Sequence, residues 1–327
     1  MTSARSLTDR HCEAHVEPFP VRRVASVKAR PESHKWLVES LWLASGVGIL
    51  GGAPKVGKTF LAAEIAVAVA AGDQVLGRPA RMSGPVLFYG AEDDLPDLRE
   101  RFENLTRLRG LDIARLPIDL LDIPSLRLER DQDLLRLRAT VERHQPKLLV
   151  LDPFIRLARI DENSAADVST ILSCFRAIQR DYDVAVLVIH HTRKSPAANP
   201  NMALRGSSDF AAWSDSNLFL TRRRDLLTLS VEHRSAPAPE PIACRLVAEP
   251  APHLRVDSDA QDTQTPVNLL EKDALSLLEA ARRPITTTDL RAKLQRRKAD
   301  VVDTLEALRA KGTIQRDALG WTLATRG

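Results

Sequence analysis

Three features of the sequence predict an α/β fold with a mostly parallel sheet and helices on both of its faces. Short apolar strands alternate with helical stretches from Val47 onward. One of those strands, Val184 to Ile189, is an unbroken aliphatic run, as a strand covered on both faces requires. The first strand enters a glycine-rich loop that opens directly into a helix. These features divide the chain into an arm (1–35), an α/β domain (36–248), a linker (249–265) and a small C-terminal domain (266–327).

The elements follow in order. Residues 1 to 34 are polar, hold Pro18, Pro20 and Pro31, and have no sustained periodicity, so they read as an arm that is loose or packed only by a partner. Val47, Ile49 and Leu50 form the first strand, and a helix from Thr59 ends at Gly72 and Asp73. Val86 to Tyr89 is the second strand, followed by an acidic turn and a charged helix near Leu98 to Leu108. Leu134, Leu137 and Val141 lie at helical spacing, and Pro146 separates that helix from the strand Leu148 to Leu151. Ser164 with Asp167 marks a helix start, and Val168, Ile171, Leu172, Phe175 and Ile178 share its apolar face. After the strand Val184 to Ile189, the stretch from Arg193 to Leu204 reads as a surface loop. Leu218 to Leu220 and Leu227 to Val231 flank Arg222 to Asp225 as a hairpin, and the domain ends near Val247. Pro250, Pro252 and the polar run 261–265 give the linker.

Composition limits the function classes. With 44% hydrophobic and 28% charged residues over 327 positions, the chain is globular rather than disordered. Its longest nearly apolar stretch, Phe60 to Ala71, contains Glu64 and is too short to cross a bilayer, so no membrane partner is expected. The N-terminus lacks the apolar core of a secretory signal, which places the protein in the cytoplasm. Cys12, Cys174 and Cys244 form no C-x-x-C pair, arguing against a disulfide framework or a cysteine-based zinc site. Of the net charge of +4, the whole surplus lies in 266–327, where 12 Lys and Arg face 8 Asp and Glu. That hints at an anionic partner there, though the excess alone does not specify nucleic acid.

Gly52-Ala53-Pro54-Lys55-Val56-Gly57-Lys58-Thr59 is a complete G-x-x-x-x-G-K-[ST] loop between a strand and a helix, with Phe60 next in the helix. Its amides and the helix N-terminus suit the phosphates of ATP; Lys58 adds positive charge, and the Thr59 hydroxyl suits Mg²⁺. Leu148 to Leu151 deliver Asp152 to the same metal through its water, although an Asp ending a strand also serves as a cap or turn residue. Glu92, in the run Glu92-Asp93-Asp94 after the second strand, is the candidate base for water; an acidic first helical turn explains such a run equally. His190 and His191 end the strand after Asp152's, and alternation points only one of them at the nucleotide.

Taken in order, Gly52 to Thr59, Ala91 to Asp94, Leu148 to Asp152, Ile189 to Lys194 and Arg205-Gly206-Ser207-Ser208 resemble the RecA/DnaB-like ATPases, specifically the RepA-type plasmid hexameric helicase branch. The resemblance implies a RecA-like core that hydrolyses Mg-ATP in a homo-oligomeric, hexameric ring. By the same resemblance Glu92 activates water, His191 or His190 senses the γ-phosphate, and Arg205 reaches a neighbouring subunit's site. The loop 193–204 would meet single-stranded DNA. An ordinary surface arginine remains the alternative for Arg205. Residues 266–327 look like a winged helix, with helices at Leu269 to Leu278, Thr288 to Leu294 and Ala299 to Leu308, and a wing at Ile314 to Leu323. Arg296, Arg297 and Lys298 lead into the third helix, placed to meet duplex DNA or to dock a replication protein. The function implied is a RepA-like replicative DNA helicase, with an ATP-switched DNA-binding regulator or loader as the alternative.

Overall fold

The structure, a computed structural model, describes residues 19–29, 31–160, 164–191, 208–257, 266–281, 283–296, 298–310, 312–317 and 319–324. The chain divides into two units after Glu32. In the first unit a short 3-10 turn, Val24–Ser26, is closed by the Ser26 hydroxyl donating to the Arg23 carbonyl, and Phe19, Val21 and Val24 are almost fully exposed.

The second unit is built on a nine-stranded sheet. In chain order its strands are β3 (Val47–Gly52), β6 (Val86–Gly90), β7 (Ile118–Leu120), β8 (Leu148–Asp152), β9 (Ala185–His191), β10 (Ser216–Arg223), β11 (Leu226–His233), β12 (Ile242–Val247) and β13 (His253–Val256). Two small hairpins lie outside it, β1 (Trp36–Val38) with β2 (Trp42–Leu43) and β4 (Gln74–Val75) with β5 (Arg78–Pro79). Across the sheet the order is β13-β12-β11-β10-β3-β9-β8-β6-β7, parallel from β10 to β7 and antiparallel from β10 to β13.

Helices α1 (Lys58–Ala71) and α2 (Leu95–Leu108) cover one face. The other is covered by α3 (Asp131–His144), α4 (Ala165–Tyr182) and α5 (Ser208–Trp213). Strand β9 divides its side chains between the two cores, Ala185, Leu187 and Ile189 into the first, Val186 and Val188 into the second. The predicted start of α4 holds, since the Ser164 hydroxyl accepts from the Asp167 amide. A Cβ at Gly48 would lie 1.6 Å from the Ser216 carbonyl, so glycine there lets β10 approach β3.

The sheet runs past its predicted end. Within the stretch read as a linker, His253–Val256 pair antiparallel with β12. Glu64, the one acidic residue of α1, accepts from the Leu254 amide at 2.5 Å and from Arg109 at 3.2 Å. Pro250 and Pro252 conceal a strand this short, and its anchor lies 190 positions away. Strand β7, with only three residues, gives no pattern in the sequence either.

Residues 266–324 contribute α6 (Pro266–Ala280), α7 (Thr287–Leu294), α8 (Lys298–Ala310) and the hairpin β14 (Ile314–Arg316) with β15 (Trp321–Leu323). They enclose a core of their own around Leu278, Leu290, Leu305 and Trp321. A bridge from Ile285 to Trp321 adds a third short extended segment between α6 and α7. Among the described residues no helix is long and apolar enough to cross a membrane.

Candidate nucleotide site

Four strand ends build the site. In the sheet, β3, β9, β8 and β6 are consecutive neighbours, and their C-terminal ends carry the loop 52–59, His191, Asp152 and Glu92. Gly52 faces His191 in register, Gly90 faces Asp152, and the Ala91 amide donates to the Asp152 carbonyl at 2.7 Å.

The loop turns over the N-terminus of α1. Gly57 caps the helix at φ 103°, a left-handed conformation that a side chain resists. A Cβ on Gly52 would come within 2.5 Å of the Leu220 carbonyl. Pro54 and Lys55 are exposed and Val56 is buried beneath them, with Ala53 and Phe60 half-buried.

Lys58 is buried, and its Nζ donates to the Gly52 carbonyl at 3.0 Å and the Ala53 carbonyl at 2.9 Å. It also lies 3.0 Å from His191 Nδ1. An ammonium only donates, so His191 Nδ1 accepts and the neutral ring carries its proton on Nε2. Burial brings Lys58 down to about 8, with Asp152 and Glu92 opposing the shift. His191 is lowered too, by burial and by Lys58.

Asp152 is buried, and its Oδ2 accepts from the Thr59 hydroxyl at 2.6 Å. Burial pushes its carboxyl up to about 6, helped by Asp93 and Glu92 and resisted by the Thr59 hydrogen bond and Lys58. Hydroxyl and carboxylate are hard oxygen donors facing each other at the helix N-terminus. They suit Mg²⁺, which takes few protein ligands and completes its shell with water and phosphate oxygens.

The acidic run divides its labour. Asp94 caps α2, accepting from the Asp97 amide at 3.2 Å. Asp93 binds Arg101 at 2.9 Å, and that guanidinium lies 4.9 Å from the centre of the Phe60 ring. Glu92 takes part in neither contact; its Oε1 accepts from Arg156 Nε at 2.9 Å. The reading as an acidic first helical turn therefore applies to Asp94, and Glu92 is left with a separate partner.

Alternation along β9 separates the histidines. His191 points toward α1 and Lys58, while His190 turns to the opposite face, stacked on Phe210 at 4.7 Å and edge-on to Phe154 at 5.8 Å. Burial lowers His190 to about 4. Arg205, Arg297 and the loop 193–204 lie outside the described residues. Sequence reasoning missed Arg101, Arg156, Phe154 and Phe210; the turn two to four residues beyond Asp152 was the signal available for Arg156.

A family model described as an AAA domain matches residues 13–197, more than half of the chain. The chain belongs to this AAA domain family. The match begins at residue 13, inside the stretch read as an arm. Among solved structures, a DnaB-like replicative helicase described with its interactions with primase aligns at a TM-score of 0.50 and 15% identity. That alignment covers 65% of this chain and 58% of the helicase, so the chain spans little more than half of that protein. The RadB recombinase aligns at a TM-score of 0.48 and 18% identity, over 65% of this chain and 90% of its own. This AAA domain is thus a P-loop ATPase with a RecA-like fold.

Proposed function

We propose that the protein is a DNA-dependent ATPase that works as a ring of the RepA-like replicative helicase type. The observation that carries this reading is the convergence of Lys58, the Thr59–Asp152 pair and Glu92 on adjacent strand ends. The loop 52–59 cradles the phosphates of ATP with its amides. Lys58, whose contacts are now with two carbonyls and His191, exchanges one of them for a phosphate oxygen. Thr59 would hold Mg²⁺ directly and Asp152 through a bound water, and the ion would supply positive charge beside the phosphates. Glu92 orients water and takes its proton, and the neutral His191 offers its Nε2–H to the γ-phosphate.

In this reading Arg205 completes a neighbouring subunit's site in a hexamer, and single-stranded DNA runs along 193–204. The ATPase domain begins near residue 36. The three helices and hairpin of 266–324 form a winged helix, supported by their order, by the extended segment at Ile285 between α6 and α7, and by the basic surplus of that region. That unit favours a second reading, an ATP-switched regulator or loader that holds duplex DNA without unwinding it.

The deciding experiment measures hydrolysis with and without single-stranded DNA, the mass in solution, and strand displacement. Stimulation, a ring-sized mass and unwinding are expected; stimulation without unwinding selects the second reading. Lys58→Ala should abolish turnover. Glu92→Gln should bind ATP yet lose about 100-fold or more in rate, the scale of general-base catalysis. Undiminished turnover in Glu92→Gln refutes its role.

A further inference from the structure

We propose that Arg156 is a positioning residue for Glu92, fixing one carboxylate oxygen so that the other faces the attacking water. The inference rests on Glu92 acting as the base.

Glu92 leaves the end of β6 and Arg156 leaves the turn that follows Asp152 on the neighbouring β8. The two strand ends are tied by the hydrogen bond from the Ala91 amide to the Asp152 carbonyl. The turn carrying Arg156 is held at several points. The Arg156 amide donates to the Pro153 carbonyl at 3.0 Å, the Leu157 amide to Phe154 at 2.9 Å and the Leu128 amide to Leu157 at 2.7 Å. Arg127 donates to the Arg156 carbonyl at 3.2 Å, and Phe154 and Leu157 are buried on either side. The guanidinium therefore starts from a fixed backbone and reaches back to Glu92 Oε1 at 2.9 Å.

Glu92 also lies within electrostatic range of Lys58, Asp152 and His191. With Oε1 committed to Arg156, Oε2 is the oxygen left to serve the site. This is the logic of a base oriented by a third group. The pair is half-exposed, with 57% of the Arg156 side chain and 46% of Glu92 accessible, so it adds little to stability. Its value is geometric, because a displacement of about 1 Å in a catalytic group costs up to about 100-fold in rate.

The test is a double-mutant cycle on the full chain, with steady-state ATP hydrolysis and nucleotide affinity as readouts. Arg156→Ala should lower kcat by about tenfold to about 100-fold with KM for ATP changed less than about twofold. Arg156→Lys should recover part of the loss, and Arg156→Gln, which keeps the side chain's polar character, should not. In the Glu92→Gln background Arg156→Ala should cost less than about twofold more, since the interaction is already gone. The same loss in both backgrounds overturns the proposal by assigning Arg156 to the turn's structure, and an unchanged or faster Arg156→Ala enzyme overturns it directly. If Glu92→Gln itself turns over normally, the base assignment falls; if Glu92→Gln is slow and Arg156→Ala is not, only the positioning role falls.

Discussion

His190→Phe should remove most of an acid sensitivity that the fold carries at one buried ring. His190 sits between Phe154 and Phe210, and burial is the main cause that lowers it from 6.5 to about 4, with His191 and Lys58 adding to the shift. Above pH 6.5 the ring is neutral in both native and unfolded chains, and it contributes no pH dependence. As the pH falls below 6.5 the unfolded chain takes up a proton that the native ring refuses until about pH 4, so stability is lost through that window. At pH 5 these values give a loss of about 2 kcal/mol relative to neutral pH, equivalent to about 4 to 8 °C in Tm for a domain of this size. Phenylalanine keeps an aromatic ring between Phe154 and Phe210 and carries no titrating group. Thermal unfolding from about pH 7.5 to about pH 5 should therefore fall more steeply for the wild type than for the variant, by about that amount. The carboxylates titrate in both proteins and cancel. Parallel curves would refute the reasoning, because they would mean that the native ring is protonated as readily as the unfolded one.

Thr59→Ala should raise the Mg²⁺ concentration needed for half-maximal hydrolysis, since it removes the hydroxyl proposed to ligate the ion, and an unchanged requirement would take Thr59 out of the metal site. Duplex DNA binding should weaken steeply with salt, and Ala at Arg296, Arg297 and Lys298 together should reduce the slope by about one for each phosphate no longer neutralised; an unaltered slope would remove them from the interface. Arg205→Ala should keep ATP binding and assembly but lose about 10³-fold in DNA-stimulated hydrolysis. Mixing it with Lys58→Ala subunits should restore some activity, whereas no gain in assemblies shown to be mixed would reject an action in trans.

The α/β architecture was legible because the patterns that specify it are local. Val168, Ile171, Leu172, Phe175 and Ile178 repeat at helical spacing, and all five are buried. The glycine-rich loop was equally legible, since its strand, its left-handed Gly57 and its helix are contiguous. Short edge strands were not. β7 and β13 have three and four residues, too few for a period to emerge, and their places depend on neighbours far along the chain.

The limits at the site have the same origin. Alternation establishes that His190 and His191 face opposite sides of β9, but which of them meets Lys58 depends on the face that α1 covers. That choice is made by the crossover from β3 to β6, which lies on the opposite face of the sheet from α4, and no residue near His190 encodes it. The acidic run Glu92 to Asp94 shows the same dependence. Three adjacent carboxylates look alike in sequence, and they are distinguished by the Asp97 amide that Asp94 caps, a guanidinium at Arg101 on the following helix, and Arg156, 64 positions onward from Glu92. Strand order brings that last partner into reach, because β8 lies beside β6 although β7 comes between them in sequence. Local chemistry thus nominates the groups that can react, and the long-range topology assigns each its partner. The Arg156 cycle and the His190 titration each probe an assignment of that second kind, one at a carboxylate that topology orients and the other at a ring that topology buries.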